Sequence, residues 1–461
     1  MGRGRLTSAF GVFCAAVASA VAMTASSADR EAAAPPVAGR VGVHEGVASC
    51  AGSTCHSRPV ATGLVVRQNE LITWQDPSSQ AGLHHRAWRV LTAPRALAIT
   101  SKLGLGPAQN AQACLGCHTD PAPAGQRGAR FQTSDGVGCE ACHGGSGGWI
   151  ASHYVVGATH AANVAKGMKA LDDPKVRAGL CLDCHLGSAK SGQFVTHQMM
   201  AAGHPRVNFE LDLFSTLQQH YDQDADYRSR KAYAGGVKTW AVGQALALDR
   251  ALTLYGDPSK TSGAFPELYF FDCHACHRTI SDDPKARLTA QPNPGRGGQV
   301  GVVPFNDENM IMLAAAARVT APGLASRFDA DSKAFHAALG RDRGESIRAG
   351  AKLAETSRAL SSAFAARSFG KADTLAILDA LLTGESARRY TDYTGAAQAV
   401  MAADTLLNAM VASGQADRGA VARIRPSLDR AYREVRDPNS FSPDVFRQSM
   451  QQVALGARGL R

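Results

Sequence analysis

The chain of 461 residues carries 49 Lys and Arg against 39 Asp and Glu, a formal net charge of +10, with 15 His and 11 Cys. Its one apolar run near membrane-spanning length lies at the start, so no later span is expected. Cysteine is the informative count: ten of the eleven fall into one recurring pattern, and the class follows from that pattern, not from the charge.

Arg3 and Arg5 precede an apolar stretch over 6–23, and the small residues Ala25, Ser26, Ser27 and Ala28 follow it. This reads as a secretory signal peptide over 1–28, with an uncleaved anchor as the alternative. Cys14, the eleventh cysteine, lies inside it. Gly11, Val12 and Phe13 before it lack the pattern of a lipoprotein signal, so Cys14 is expected to leave with the peptide. Residues 29–43 are rich in Ala, Pro and Gly and read as a linker.

Within 44–280 the spacing Cys, two residues, Cys, His occurs four times: Cys114, Cys117, His118; Cys139, Cys142, His143; Cys181, Cys184, His185; and Cys273, Cys276, His277. A stretched version, Cys50, Cys55, His56, precedes them. Two thiols three positions apart on one helical turn can form thioethers to the two vinyl groups of a haem, and the next His then meets the iron. A lone pair of this kind also suits zinc or redox chemistry, but here His follows every pair. The wider Cys50 to Cys55 gap also admits a local disulfide. The expectation is about five covalently attached haem c groups, with His56, His118, His143, His185 and His277 as proximal iron ligands.

Five units in so short a stretch leave little room for a conventional core. The porphyrins must supply much of the buried apolar surface, wrapped in short helices and loops, with one longer helix over 236–254 and no large sheet. Haem propionates offset the basic excess, so the charge does not indicate nucleic-acid binding. Pro292, Pro294, Gly295 and Gly297 punctuate a loop over 281–308. Beyond it, 309–461 is Ala-rich and free of Cys. Leu353, Leu360 and Phe364 recur at helical spacing, as do Val400, Leu407 and Val411. Ser442 and Pro443 begin a helix whose apolar face is Phe446, Met450 and Val453. The fold class expected is mainly α, a multihaem cytochrome c fold followed by a C-terminal α-helical region that packs against it or docks a partner.

Whether an iron is closed or open decides between electron transfer and catalysis. Apart from the five motif histidines there are ten more: His44, His84, His85, His153, His160, His197, His204, His220, His274 and His336. His153 follows a Gly-rich turn and Trp149 and can fold over a neighbouring haem. Gly203 and Pro205 break the helix that His197 begins, so His197 and His204 are expected at its two ends, serving different haems. His274, between two attachment cysteines, points away from its own iron.

The blocks Gly136-Val-Gly-Cys139-Glu-Ala-Cys142-His143-Gly144, His197-Gln-Met-Met-Ala-Ala-Gly203-His204-Pro205-Arg206 and Phe270-Phe-Asp-Cys273-His-Ala-Cys276-His277 resemble an exported multihaem cytochrome family. It is related to the cytochrome c-554 family of ammonia-oxidising bacteria and, more distantly, to octahaem hydroxylamine oxidoreductase and tetrathionate reductase. The resemblance spans roughly 44–277. It implies bis-His haems in close pairs that pass electrons between redox proteins of a periplasmic or membrane-associated chain. Its pattern of His, any residue, Ala, aromatic matches His85, Arg86, Ala87 and Trp88, and its segment ending in His and an aromatic matches His220 and Tyr221. Carried over, it implies the distal ligands His85, His153, His197, His204 and His220. The longer Trp74 to His85 gap leaves His84 open beside His85. The alternative to a carrier is an oxidoreductase with one open haem acting on a small nitrogen or sulfur compound. No motif here replaces the proximal His with Lys.

Overall fold

The computed structural model describes residues 40–60, 68–223, 227, 229, 231–263, 265–277, 282, 283, 291–297 and 301–461. The expected signal peptide, most of the linker and part of the 281–308 loop lie outside the described residues. The protein is mainly α-helical. Among the described residues the strands are Thr261–Ser262 and Phe265–Pro266, one two-residue antiparallel pair. No helix there is long and apolar enough to cross a membrane.

The N-terminal half is built of short helices: α1 (Glu70–Gln75), α2 (Pro94–Leu103), α3 (Gln112–His118), α4 (Cys139–His143), α5 (Pro174–His185), α6 (His197–Ala202) and α7 (Leu211–Leu217). Local chemistry sets their ends. Pro94 and Pro174 occupy first turns, where no N–H is needed. Asp173, Thr196 and Glu210 accept hydrogen bonds from the first-turn amides of α5, α6 and α7. Gly203, at φ 122°, terminates α6 in a conformation that favours glycine.

The expected long helix is α8 (Gly236–Gly256). After α9 (Cys273–Cys276) come α10 (Glu308–Thr320), α11 (Pro322–Leu339), α12 (Arg343–Ala366), α13 (Lys371–Leu382), α14 (Tyr393–Ala412) and α15 (Pro443–Arg458). Every residue from Met310 to Ala317 in α10 is buried, as are Ala396 to Leu407 in α14, so both are central helices rather than amphipathic surface ones. The predicted faces hold except at Val411, near the end of α14, which is half-buried. Leu353, Leu360 and Phe364 of α12 are wholly buried, as are Val400 and Leu407 of α14, and Phe446, Met450 and Val453 of α15 are buried.

One apolar core joins α8 to these C-terminal helices and takes in Phe270 and Phe305. Trp240, Val242 and Leu248 of α8 are buried in it, and Ser357 of α12 donates to the Ala245 carbonyl at 2.8 Å. The helical region thus packs against the haem-motif half. Further ties run from Gln398 Nε2 to the Phe209 carbonyl at 2.6 Å and from Thr405 to Glu210 at 2.6 Å.

Candidate haem-binding sites

The attachment units sit where short helices end. His118, His143 and His185 are the last residues of α3, α4 and α5, and His277 caps α9. One helical turn therefore carries both thiols and presents the following imidazole beside them. In the stretched unit Cys50 caps a single turn, Val47–Ser49, and the His56 amide donates to the Cys50 carbonyl at 3.4 Å. The ten cysteines among the described residues form no disulfide with one another, Cys50 and Cys55 included.

Each attachment histidine faces a second histidine. The ring centres lie 6.1 Å apart for His56 and His153, 6.3 Å for His118 and His204, 6.3 Å for His143 and His220, 6.1 Å for His185 and His84, and 6.1 Å for His277 and His197. A metal–imidazole bond of about 2 Å on each side, with about 1.1 Å from nitrogen to ring centre, separates two trans imidazoles by about 6.2 Å. Each pair would therefore hold one iron between its two rings. The planes differ among sites: they cross at 10° for His56 and His153, at 38° for His277 and His197, and at 80°, 89° and 86° for His185, His118 and His143 with their partners.

Hydrogen bonds orient these rings. His118, His153, His204 and His220 donate from Nδ1 to the carbonyls of Ala87, Ile150, Pro205 and Gln218 at 2.8, 2.6, 2.8 and 3.2 Å. His56 donates from Nδ1 to a Glu70 carboxylate oxygen at 3.1 Å. With Nδ1 engaged, Nε2 is left for a metal. Burial pushes His143 down to about 3 and His185 to about 4, which keeps both imidazoles in the neutral, iron-binding form.

The remaining histidines are differently placed. His85 packs its ring against Trp74 at 4.6 Å, and the structure brings His84, not His85, opposite His185. His44 pairs with Asp120 at 2.8 Å and His160 Nε2 with Asp172 at 3.1 Å. His274 meets Phe441 edge-on at 5.9 Å, away from the ring pairs, and His336 is buried in α11. Sequence reasoning left His84 open beside His85 and passed over Glu70. His84 carries no local signal that separates it from its neighbour, and Glu70 stands at no recognisable spacing from His56.

The units also touch one another. Ala51 of the first unit and Cys139 of the third pack against the same cluster of Val47, Leu71 and Trp74, and the second unit meets the fourth where Cys117 Sγ approaches the Cys184 carbonyl at 4.0 Å and Cys184 Sγ the Gly116 carbonyl at 3.8 Å. Cys142 of the third unit lies within electrostatic range of Cys181 and Cys184 of the fourth. Helix α6 begins with His197, which faces the fifth unit, and leads directly to His204, which faces the second. Glu140, inside the third motif, is buried and accepts from the Glu45, Gly46 and Ser146 amides at 2.7 to 2.8 Å, tying 45–46 to that unit. Gly116, inside the second, lets the 191–193 turn approach: a Cβ there would lie 2.4 Å from the Gly192 carbonyl oxygen.

No curated protein and no solved structure matches the chain. Residues 50–144 match the family model described as cytochrome c554 and c-prime. That segment contains the first three units complete, the stretched one included. Over these residues the chain is similar to that family, a class of c-type cytochromes that holds haem covalently through cysteine and serves electron transfer.

Proposed function

We propose that the protein is a periplasmic electron carrier with five haem c groups, each closed by two histidines. The observation that carries this is the spacing of 6.1 to 6.3 Å between every attachment histidine and a second ring. The proximal ligands are His56, His118, His143, His185 and His277, and the distal ones His153, His204, His220, His84 and His197, with His84 in place of His85. Haem supplies a one-electron iron couple. The chain supplies attachment, neutral imidazoles on both faces and a covering that leaves no iron position for substrate. Contacts between the units and the shared helix α6 support the order first, third, fourth, second, fifth, an unbranched wire whose ends meet redox proteins. Residues 44–280 form the haem-bearing part and 309–461 the helical buttress. The sequence features of 1–28 fit export to the compartment where such haem is attached.

Electron paramagnetic resonance of the oxidised protein, with haem number fixed by intact mass, tests this. Nearly perpendicular imidazole planes leave two iron d orbitals close in energy and give strongly anisotropic low-spin signals. Parallel planes split those orbitals and give ordinary rhombic ones. Five haems, all low-spin, with both signal types present, are expected. A stoichiometric high-spin haem that binds hydroxylamine or sulfite would overturn the carrier reading in favour of a catalyst.

A further inference from the structure

Resting on His56 as an iron ligand, a second feature of the first site sets it apart electrically. At the other ring pairs every Nδ1 hydrogen bond found among the described residues is to a neutral group: the main-chain carbonyls of Ala87 for His118 and Pro205 for His204, and the main-chain carbonyl and side-chain amide of Gln218 for His220. His56 alone donates to a carboxylate, that of Glu70. The contact is held at two points. The Leu71 amide donates to the His56 carbonyl at 2.9 Å, while Leu71 and Trp74 are buried against Val47 and anchor α1. Consecutive residues of one helix therefore fix both the backbone and the ring of His56. The Glu70 side chain is 26% exposed, so water reaches one side of it while its other side faces the imidazole.

A hydrogen bond to an ionised acceptor is roughly twice as strong as one to a neutral carbonyl. It draws the Nδ1 proton away from the ring, makes Nε2 a stronger electron donor and so favours the higher oxidation state of a bound metal. We propose that Glu70 is a positioning and tuning residue that holds the first haem site at lower potential than it would have with a neutral partner, making that end of the wire its reducing end. The site suits such a role, because the His56 side chain is 38% exposed and the next turn places Tyr154, Val155 and Val156 outward beside His153. An electron delivered at that end then passes inward.

The test is a spectroelectrochemical titration of the fully loaded protein and of its Glu70→Gln and Glu70→Asp variants, with haem number by intact mass and spin state by paramagnetic resonance. Glu70→Gln keeps the size and an acceptor oxygen but removes the charge. One of the five midpoints should rise by a tenfold change in equilibrium constant or more, 59 mV for a one-electron couple. The other four should hold still, and Glu70→Asp should restore much of the difference. Five unchanged midpoints with five low-spin haems would overturn the tuning role, and so would loss of one haem from Glu70→Gln, which would make Glu70 a structural support. Wild-type protein with fewer than five haems would instead refute the five-site reading itself.

Discussion

A buried imidazole binds iron only while it is neutral and turned the right way, and individual residues here secure both conditions. Burial holds His143 and His185 far below the usual histidine value, and carbonyl acceptors hold His118, His153, His204 and His220 by Nδ1. His84 and His85 show how fine this selection is. They are adjacent in tight helical turns, where successive side chains diverge widely, so only one of them can face His185 while the other packs on Trp74. Replacing His84 with Ala should therefore leave five haems attached and convert one to high spin. Replacing His85 with Ala should leave every haem low-spin. Paramagnetic resonance on both variants checks the pair, and a high-spin signal from the His85 variant alone would reverse the assignment.

The fifth unit depends on elements far from it in the chain. Asp272 caps α9 by accepting from the His274 amide at 2.9 Å, and its other oxygen takes Arg296 at 2.8 Å. Arg296 also reaches Asp307 at 2.5 Å and Asp392, the N-cap of α14, at 2.8 Å. Arg389 adds a second cation to Asp307 at 3.0 Å. Backbone hydrogen bonds from Asp272 to Pro304 and from Asn306 to Phe270 lay the segment along the start of α10. Burial alone would push the Asp307 carboxyl up, but the two guanidinium groups overcome it and hold it at about 2. Because the folded-state value lies below the unfolded 3.8, the contribution of Asp307 is complete above about pH 4 and is lost as pH falls toward 2. Asp307→Asn leaves buried cations partly unmatched and should cost about 3 to 5 kcal/mol at neutral pH. Denaturant melts at pH 7 and pH 3 should show the deficit shrinking at the lower pH.

For the molecule as a whole, the C-terminal helices complete the core that α8 begins. Removing 309–461 would expose Trp240, Val242, Leu248 and the ring cluster of Tyr255, Phe270 and Phe305 to water. A patch of that size promotes association. The truncated chain should give little soluble haem protein, measured as haem absorbance after gel filtration. Recovery of a monomeric pentahaem fragment would show instead that the helical region is dispensable for folding.

The geometry of the Cys and His units was legible in the sequence because it is local: two thiols, one helical turn and the next imidazole all lie within a few residues, and so does the periodicity of α8, α12, α14 and α15. The end of α6 was equally readable, since Gly203 and Pro205 act on their own neighbours. Which ring closes which site was not. His204 faces a unit 86 positions before it in the chain and His84 one 101 positions after it, and no spacing rule spans such distances. The Glu70 carboxylate became part of a site only when α1 docked on the turn that carries His56. The sequence by itself determined the candidate attachment groups, because each unit is local; tertiary structure decided their partners, because packing alone brings distant imidazoles and carboxylates within a few ångströms.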